Sequence, residues 1–430
     1  MQSVRKNGHD YIDFALLVVY TASFLCRGTL VMKYASSILT ATEIGAGGLL
    51  LLSLGWRIAM ASPQQRRAWG RRNGWVFLYG VLRLVSFVIN DRDPEILVSL
   101  CFELVYLVGI SSALRRNLDW LPVLLWMVVV WSLAVNLVDL AMYHLLDQES
   151  VYLFCREYTF FGNENPMEFA PLYLNTNYMG MMTGLAMVAG GMLLFRGQTS
   201  RVRAGFFLVF EAFSAYALWV SQCRSALVGV AVAVVVFLAV VLLRRIPGRL
   251  VATAGLALMA VVTLGIVGYA WQHADTGLAH YTEQEAKINA LSTSRYTLWK
   301  AGCIVHNSTA DMLVGVGTVE REYVQRDAWM KVYYTNEPDY GPTYFESRKL
   351  NVHNGYLEII FACGWPAFVL FLAGMLLRAR RASLLDAPAA CAAFWYVLVV
   401  NLFECMLVLG VRFCVPLFFF LLLTEDARDA

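Results

Sequence analysis

Apolar stretches of bilayer-crossing length recur about twelve times along the chain, and no other feature narrows the possible folds as far. They fall near residues 11–31, 37–56, 74–90, 94–113, 120–140, 171–195, 204–221, 225–243, 249–271, 354–377, 388–409 and 411–424. A hydrocarbon core about 30 Å thick takes about 20 residues of helix to cross. Within lipid every backbone N–H and C=O must find a partner inside the protein, which admits helices or closed barrels, and runs this long predict helices. The expectation is an all-α polytopic membrane protein of about twelve transmembrane helices, a single integral membrane domain over residues 1–430. The last stretch is short, and its division from the eleventh is the least defined. Composition agrees: of 430 residues, 59% are hydrophobic and 15% charged, too little polar surface for a soluble domain of this length. The first stretch suits a spanning helix better than the short apolar region of a cleaved leader. A formal net charge of +3 gives no reason to expect nucleic acid as a partner. The nine cysteines form no C-x-x-C pair and no zinc-type spacing, so neither a structural metal nor a disulfide framework is expected.

The basic residues give the stretches a direction. Arg5 and Lys6 precede the first; Arg66, Arg67, Arg71 and Arg72 follow the second; Arg115 and Arg116 follow the fourth. Arg196, Arg201 and Arg203 follow the sixth, Arg244, Arg245 and Arg249 the eighth, and Arg378, Arg380 and Arg381 the tenth. All of them fall on one side of a twelve-helix chain. The positive-inside rule makes that side the cytoplasm, with both termini there; eleven helices would move only the C-terminus. Two polar segments then face outward, about 142–170 and 272–352. The second is too long for a plain loop and is expected to be partly folded. Ser294 is placed to cap a helix through Arg295, Trp299 and Ile304, Gly315 and Gly317 break it, and an amphipathic stretch follows over about 318–333.

Arg83, Glu103, Glu211, Glu404 and Arg412 fall inside or at the edge of predicted spans, where a charge is costly unless paired or wetted. Arg83 and Glu103 come to similar depth across the turn at Asp91–Asp93, which predicts an ion pair. Glu404 and Arg412 flank the last outer turn and are set to pair likewise. A transporter would place its charges near the midplane, and only Arg83 and Glu103 lie there, so transport or flipping of a glycolipid is the weaker reading.

Three outward segments concentrate polar chemistry. Ser221-Gln222-Cys223-Arg224-Ser225 interrupts two apolar helices. Ser294-Arg295 is followed by Trp299 and then Gly315-Val316-Gly317. His353-Asn354-Gly355-Tyr356-Leu357-Glu358 leads into the tenth stretch. Two guanidiniums suit the planar recognition of phosphate oxygens, and an imidazole suits proton transfer near neutral pH. Taken singly, Arg224 reads more simply as an arginine snorkelling from a helix end, Arg295 as a solvated residue packing its stem on Trp299, and His353 as a helix-start residue bonded to backbone.

These segments resemble the O-antigen ligase and polymerase superfamily. Ser221 to Leu243 is similar to its S-R-(G/S)-A-L signature with the apolar run that follows, and Ser294-Arg295 to Gly317 to its S-R-x-x-x-W … G-x-G segment. His353 to Leu370 resembles its H-N-x-Y-L segment, with Gly364 at the matching place, and Asn175 to Gly180 resembles its Asn-Pro-Asn-Tyr element. The likeness spans about 160–424 and leaves the first five helices without a signature. Two positions depart from it: Thr176 stands where proline is usual, and Cys223 where a small or hydroxyl residue is usual. The resemblance implies a metal-independent, cofactor-free, inverting transfer of a glycan from a polyprenyl-diphosphate-linked donor to a lipid or glycan acceptor at the outer face of the cytoplasmic membrane. It implies further that Arg224 and Arg295 hold the diphosphate, that His353 acts on the acceptor hydroxyl, and that Asn354 contributes to substrate binding. Ligase, polymerase and protein oligosaccharyltransferase share this donor chemistry, and the sequence does not separate them.

Overall fold

A computed structural model describes residues 8–90, 92, 94–115, 118–146, 172–173, 176–196, 200–243, 245–274, 281–292, 295–306, 308–317, 352–404 and 414–424. Ser294, Asn175, Arg412 and the expected amphipathic stretch at 318–333 lie outside these residues, as does most of the expected outer segment at 142–170. The described chain is helical, apart from an isolated bridge between Thr29 and Tyr173.

Among the described residues, ten helices are long and apolar enough to cross a membrane. In chain order they are α1 (Gly8–Arg27), α2 (Val31–Met60), α3 (Pro63–Ile89), α4 (Pro94–Leu104, continued through Val105–Ile110 to Ser111–Leu114), α5 (Leu121–Leu145), α6 (Thr176–Phe195), α7 (Arg201–Val220), α8 (Arg224–Leu242), α9 (Gly248–Gln272) and, after three short helices, α13 (Gly355–Arg381). The short helices are α10 (Glu283–Leu291), α11 (Arg295–Val305) and α12 (Thr309–Val314), followed after α13 by α14 (Pro388–Asn401) and α15 (Cys414–Leu422). Ten of the expected twelve spans are thus present at full length. The eleventh expectation, 388–409, is cut short. The 14 residues of α14 reach only about 21 Å at 1.5 Å per residue, and α15 is nine residues long. Nearly every residue of α14 is buried, so it sits inside the bundle, where a helix need not match the bilayer thickness.

Small residues let α14 seat closely. It packs along α8, α6 and α9, and Tyr396 occupies space that a side chain at Gly184 or Gly229 would need. The Tyr396 hydroxyl donates to the Met181 carbonyl at 2.7 Å.

The expected buried ion pair is present and part of a network. Arg83 Nε lies 3.3 Å from Glu103 Oε2, to which the Tyr79 hydroxyl donates at 2.7 Å, while Ser99 donates to Oε1 at 2.9 Å. A second buried pair, Arg27 with Glu43 between α1 and α2, goes beyond the expected set.

The break in α13 is the fold's most specific backbone feature. Gly364 (φ 79°) interrupts the helix, which releases carbonyls ahead of it. Val316 N–H donates to the Phe361 carbonyl and Gly317 N–H to the Ala362 carbonyl, both at 3.0 Å. Gly315 (φ 69°) lets the loop lie flat against this opening, and a Cβ there would strike the Ala362 carbonyl, just as one at Gly364 would meet Leu313 O. The two glycines are therefore one device: each clears the backbone of the other.

Candidate active site

The starts of α8, α11 and α13 and the chain just past α14 meet at one place. Alternate connections of the ten long helices fall on the same face, so this place lies opposite the ends bearing Arg66–Arg72, Arg115 and Arg378.

Helix α11 presents Arg295 from its first position, as the sequence predicts. Its opening turn is satisfied by Ser292, whose hydroxyl accepts from Tyr296 N–H at 3.0 Å, and by Asn289, whose Oδ1 accepts from Thr297 N–H at 3.1 Å. From beneath, Lys300 Nζ meets Glu285 Oε1 at 2.8 Å and the Tyr296 hydroxyl donates to the same oxygen at 2.9 Å. These buried contacts lock α11 to α10. The facing lysine and the hydrogen bonds hold the Glu285 carboxyl below its ordinary range although burial pushes the other way. Trp299 Nε1 donates to the Val352 carbonyl at 3.0 Å, which ties α11 to the residue before His353.

His353 adopts a left-handed backbone (φ 47°), and so does Gln222 (φ 53°), two residues before Arg224. Such conformations are uncommon outside glycine and gather at functional sites. Here each turns the chain sharply into a helix. Asn354 is the N-cap of α13: its Oδ1 accepts from Tyr356 N–H and Leu357 N–H, each at 3.1 Å, and the residue is fully buried. This cap sets the direction in which His353 leaves the helix.

The link between these parts is a residue the sequence marks only as an intramembrane charge. Glu404, three residues past α14, accepts from Arg295 Nη2 on Oε1 at 2.7 Å and meets His353 Nδ1 with Oε2 at 2.9 Å. Its side chain is 6% exposed. Burial pushes its carboxyl up, but the facing His353 and Arg295 outweigh this and hold it below the ordinary carboxylate range. Arg412, the partner expected for Glu404, lies outside the described residues. No local pattern points to the contact, because Arg295 and Glu404 are 109 residues apart.

Arg224 opens α8 next to this group. It is exposed, and no described side chain is paired with it. Cys223, its N-cap neighbour, is buried; burial raises its thiol, and the charges of Glu404 and Arg295 both reach it. The Cys223 thiol approaches the Asn177 carbonyl at 3.7 Å, and a Cβ at Gly180 would overlap Cys223. Cysteine is thus accommodated where the family pattern has a smaller or hydroxyl residue. The site carries two permanent cations, one carboxylate and one imidazole, an arrangement that favours an anionic ligand and can carry a proton.

Residues 209–372 match the family model for O-antigen ligase. The match takes in Arg224, Arg295, His353 and Asn354 and ends within α13, so Glu404 reaches the site from beyond it. No curated protein matches the chain.

Proposed function

Residues 209–372 being of the O-antigen ligase family, we propose that this membrane glycan transferase moves a polyprenyl-diphosphate-linked oligosaccharide onto an acceptor hydroxyl at the outer face of the cytoplasmic membrane. One observation carries the reading: a single buried carboxylate holds the family's arginine and histidine together, beside the helix end that bears Arg224.

The chemistry follows from that contact. With Nδ1–H of His353 donating to Glu404, the lone pair of the imidazole lies on Nε2. Nε2 takes the acceptor hydroxyl proton as that oxygen attacks the anomeric carbon from the side opposite the diphosphate. The bond from that carbon to the diphosphate oxygen breaks, the configuration inverts, and Arg224 and Arg295 hold the departing polyprenyl diphosphate. Glu404 stabilises the imidazolium that forms, as a carboxylate behind a catalytic histidine does elsewhere. It takes only part of the five-donor fork of Arg295. In this reading Asn354 serves the substrate by fixing the start of α13 under His353.

Purified protein with a polyprenyl-diphosphate glycan tests this directly. Arg295→Lys keeps the charge but loses the planar fork, and the rate should fall by on the order of 2–4 kcal/mol in the transition state. His353→Ala should fall about 10²–10⁴-fold while still binding donor, and His353→Gln separates proton transfer from hydrogen bonding. Wild-type turnover in Arg295→Lys at equal expression rules out the diphosphate role. Activity should survive EDTA; loss restored by a divalent cation would assign the diphosphate to a metal. Deletion of the gene distinguishes the acceptor: unattached carrier-linked chains mark a ligase, whereas single repeats on the acceptor mark a polymerase. A transport role draws no support from Arg83 and Glu103, whose charges are taken up by each other, Tyr79 and Ser99.

A further inference from the structure

Near the outer end of α5, a buried carboxyl keeps one oxygen that nothing in the described chain satisfies. Ser132, Asn136 and Asp139 follow one another at helical spacing along one face of that helix, and all three are fully buried. Asp139 lies about 9 Å from the helix end at Leu145. Its Oδ1 accepts from Leu172 N–H at 2.8 Å, and the Leu172 carbonyl in turn accepts from Leu30 N–H at 2.8 Å. The segment that enters α6 is thereby pinned between α5 and the turn from α1 to α2, where Tyr173 pairs with Thr29. The second oxygen, Oδ2, is buried without a hydrogen-bond partner. Among the described residues no basic side chain pairs with Asp139.

Tyr173 comes to the same place. It is fully buried and its hydroxyl also has no hydrogen-bond partner, although the Asp139 charge and the Ser132 hydroxyl both act on its phenol. Asn136 holds the wall in position: its Nδ2 donates to Ser132 Oγ at 3.2 Å and to Thr183 Oγ1 of α6 at 3.0 Å. Two unsatisfied polar groups side by side in a protein interior call for an occupant that satisfies both. A water serves the hydroxyl but leaves the carboxylate charge without an opposite in a low-dielectric setting. A cation meets both needs, because carboxylate and hydroxyl oxygens are the hard donors that alkali and alkaline-earth ions take. One carboxylate balances one positive charge, so a monovalent ion fits where a divalent one stays half-neutralised.

We propose that Asp139 Oδ2 and the Tyr173 hydroxyl, with Ser132 beside them, bind a monovalent metal cation, sodium or potassium, which braces the segment entering α6. The brace reaches the neighbourhood of Arg224, because the Asn177 carbonyl at the start of α6 meets the Cys223 thiol. No step of the proposed transfer uses the ion.

The test uses the full chain in phosphatidylcholine nanodiscs, in sodium, potassium or N-methyl-D-glucamine chloride at equal ionic strength, read by thermal midpoint. Sodium or potassium should raise the midpoint saturably, by about 2–4 °C at several times its dissociation constant; the bulky organic cation should not. Asp139→Asn keeps an oxygen for Leu172 N–H and removes the charge. It should abolish the response, and its midpoint in the organic cation should equal or exceed that of the wild type. Tyr173→Phe should weaken the apparent affinity about tenfold. Should Asp139→Asn fail to fold, Tyr173→Phe decides, and an unshifted affinity there overturns the proposal. Equal midpoints in all three salts also overturn it, as does a response that persists in Asp139→Asn. A wild-type midpoint that ignores the salt but rises as pH falls, with no such rise in Asp139→Asn, overturns it too and assigns a proton to the oxygen. EDTA leaves a monovalent ion in place, so this result and the chelator test of the transfer are read independently.

Discussion

At the scale of single residues, Glu404 does two things that no other described side chain does: it holds Arg295 by one oxygen and His353 by the other. Glu404→Gln keeps the shape and removes the negative charge that faces His353 and Arg295. Turnover is expected to fall about 10²–10³-fold, comparable to losing a group that orients and stabilises a catalytic base, with donor binding changed far less. A fall in donor affinity at unchanged turnover would instead make Glu404 only a brace for Arg295. Because its carboxyl is held below the ordinary range, its contribution to stability is complete above that range and is lost as pH falls through the lowered value. Arg224, Arg295 and His353 were legible in the sequence because each sits in a short segment whose residue types are spaced locally. Glu404 carried no such mark. Its charge stood out against an apolar run, but its partners come from other helices, and one-dimensional spacing holds no trace of them.

At the scale of elements, the glycine pair at Gly315 and Gly364 supports the approach to the site from below. Gly315→Ala or Gly364→Ala places a Cβ against the facing carbonyl at a left-handed backbone position. Either should destabilise the protein by about 1–3 kcal/mol, measured as a fall in thermal midpoint, and both together should cost less than the sum because they disturb one contact. Fully additive losses would show that the two glycines act separately. The long helices were readable from apolar run length alone, as was the start of α11. The early end of α14 was not, because a helix buried within the bundle and one facing lipid have the same composition. The break in α13 was visible only as one glycine in an apolar helix, since the backbone that fills it lies some fifty residues upstream.

At the scale of the whole molecule, the arginine-bearing ends and the Glu404 group lie on opposite faces. Single cysteines on a cysteine-free background should therefore react with an impermeant maleimide in intact cells when placed at Gln222, and not at Arg71 or Arg201. Labelling of Arg201→Cys would reverse the orientation. The position of Glu404 also bears on biosynthesis. It is made 51 residues after His353 and 109 after Arg295. At about 5–20 residues per second, Arg295 waits on the order of 10 s for its counter-charge while the intervening helices enter the bilayer. A nascent chain that stalls or is clipped before residue 404 carries the whole of residues 209–372, yet lacks the carboxylate that joins Arg295 to His353. The Glu404 contact thus arrives well after the residues it joins, and translation itself becomes the timer for when that contact can first form.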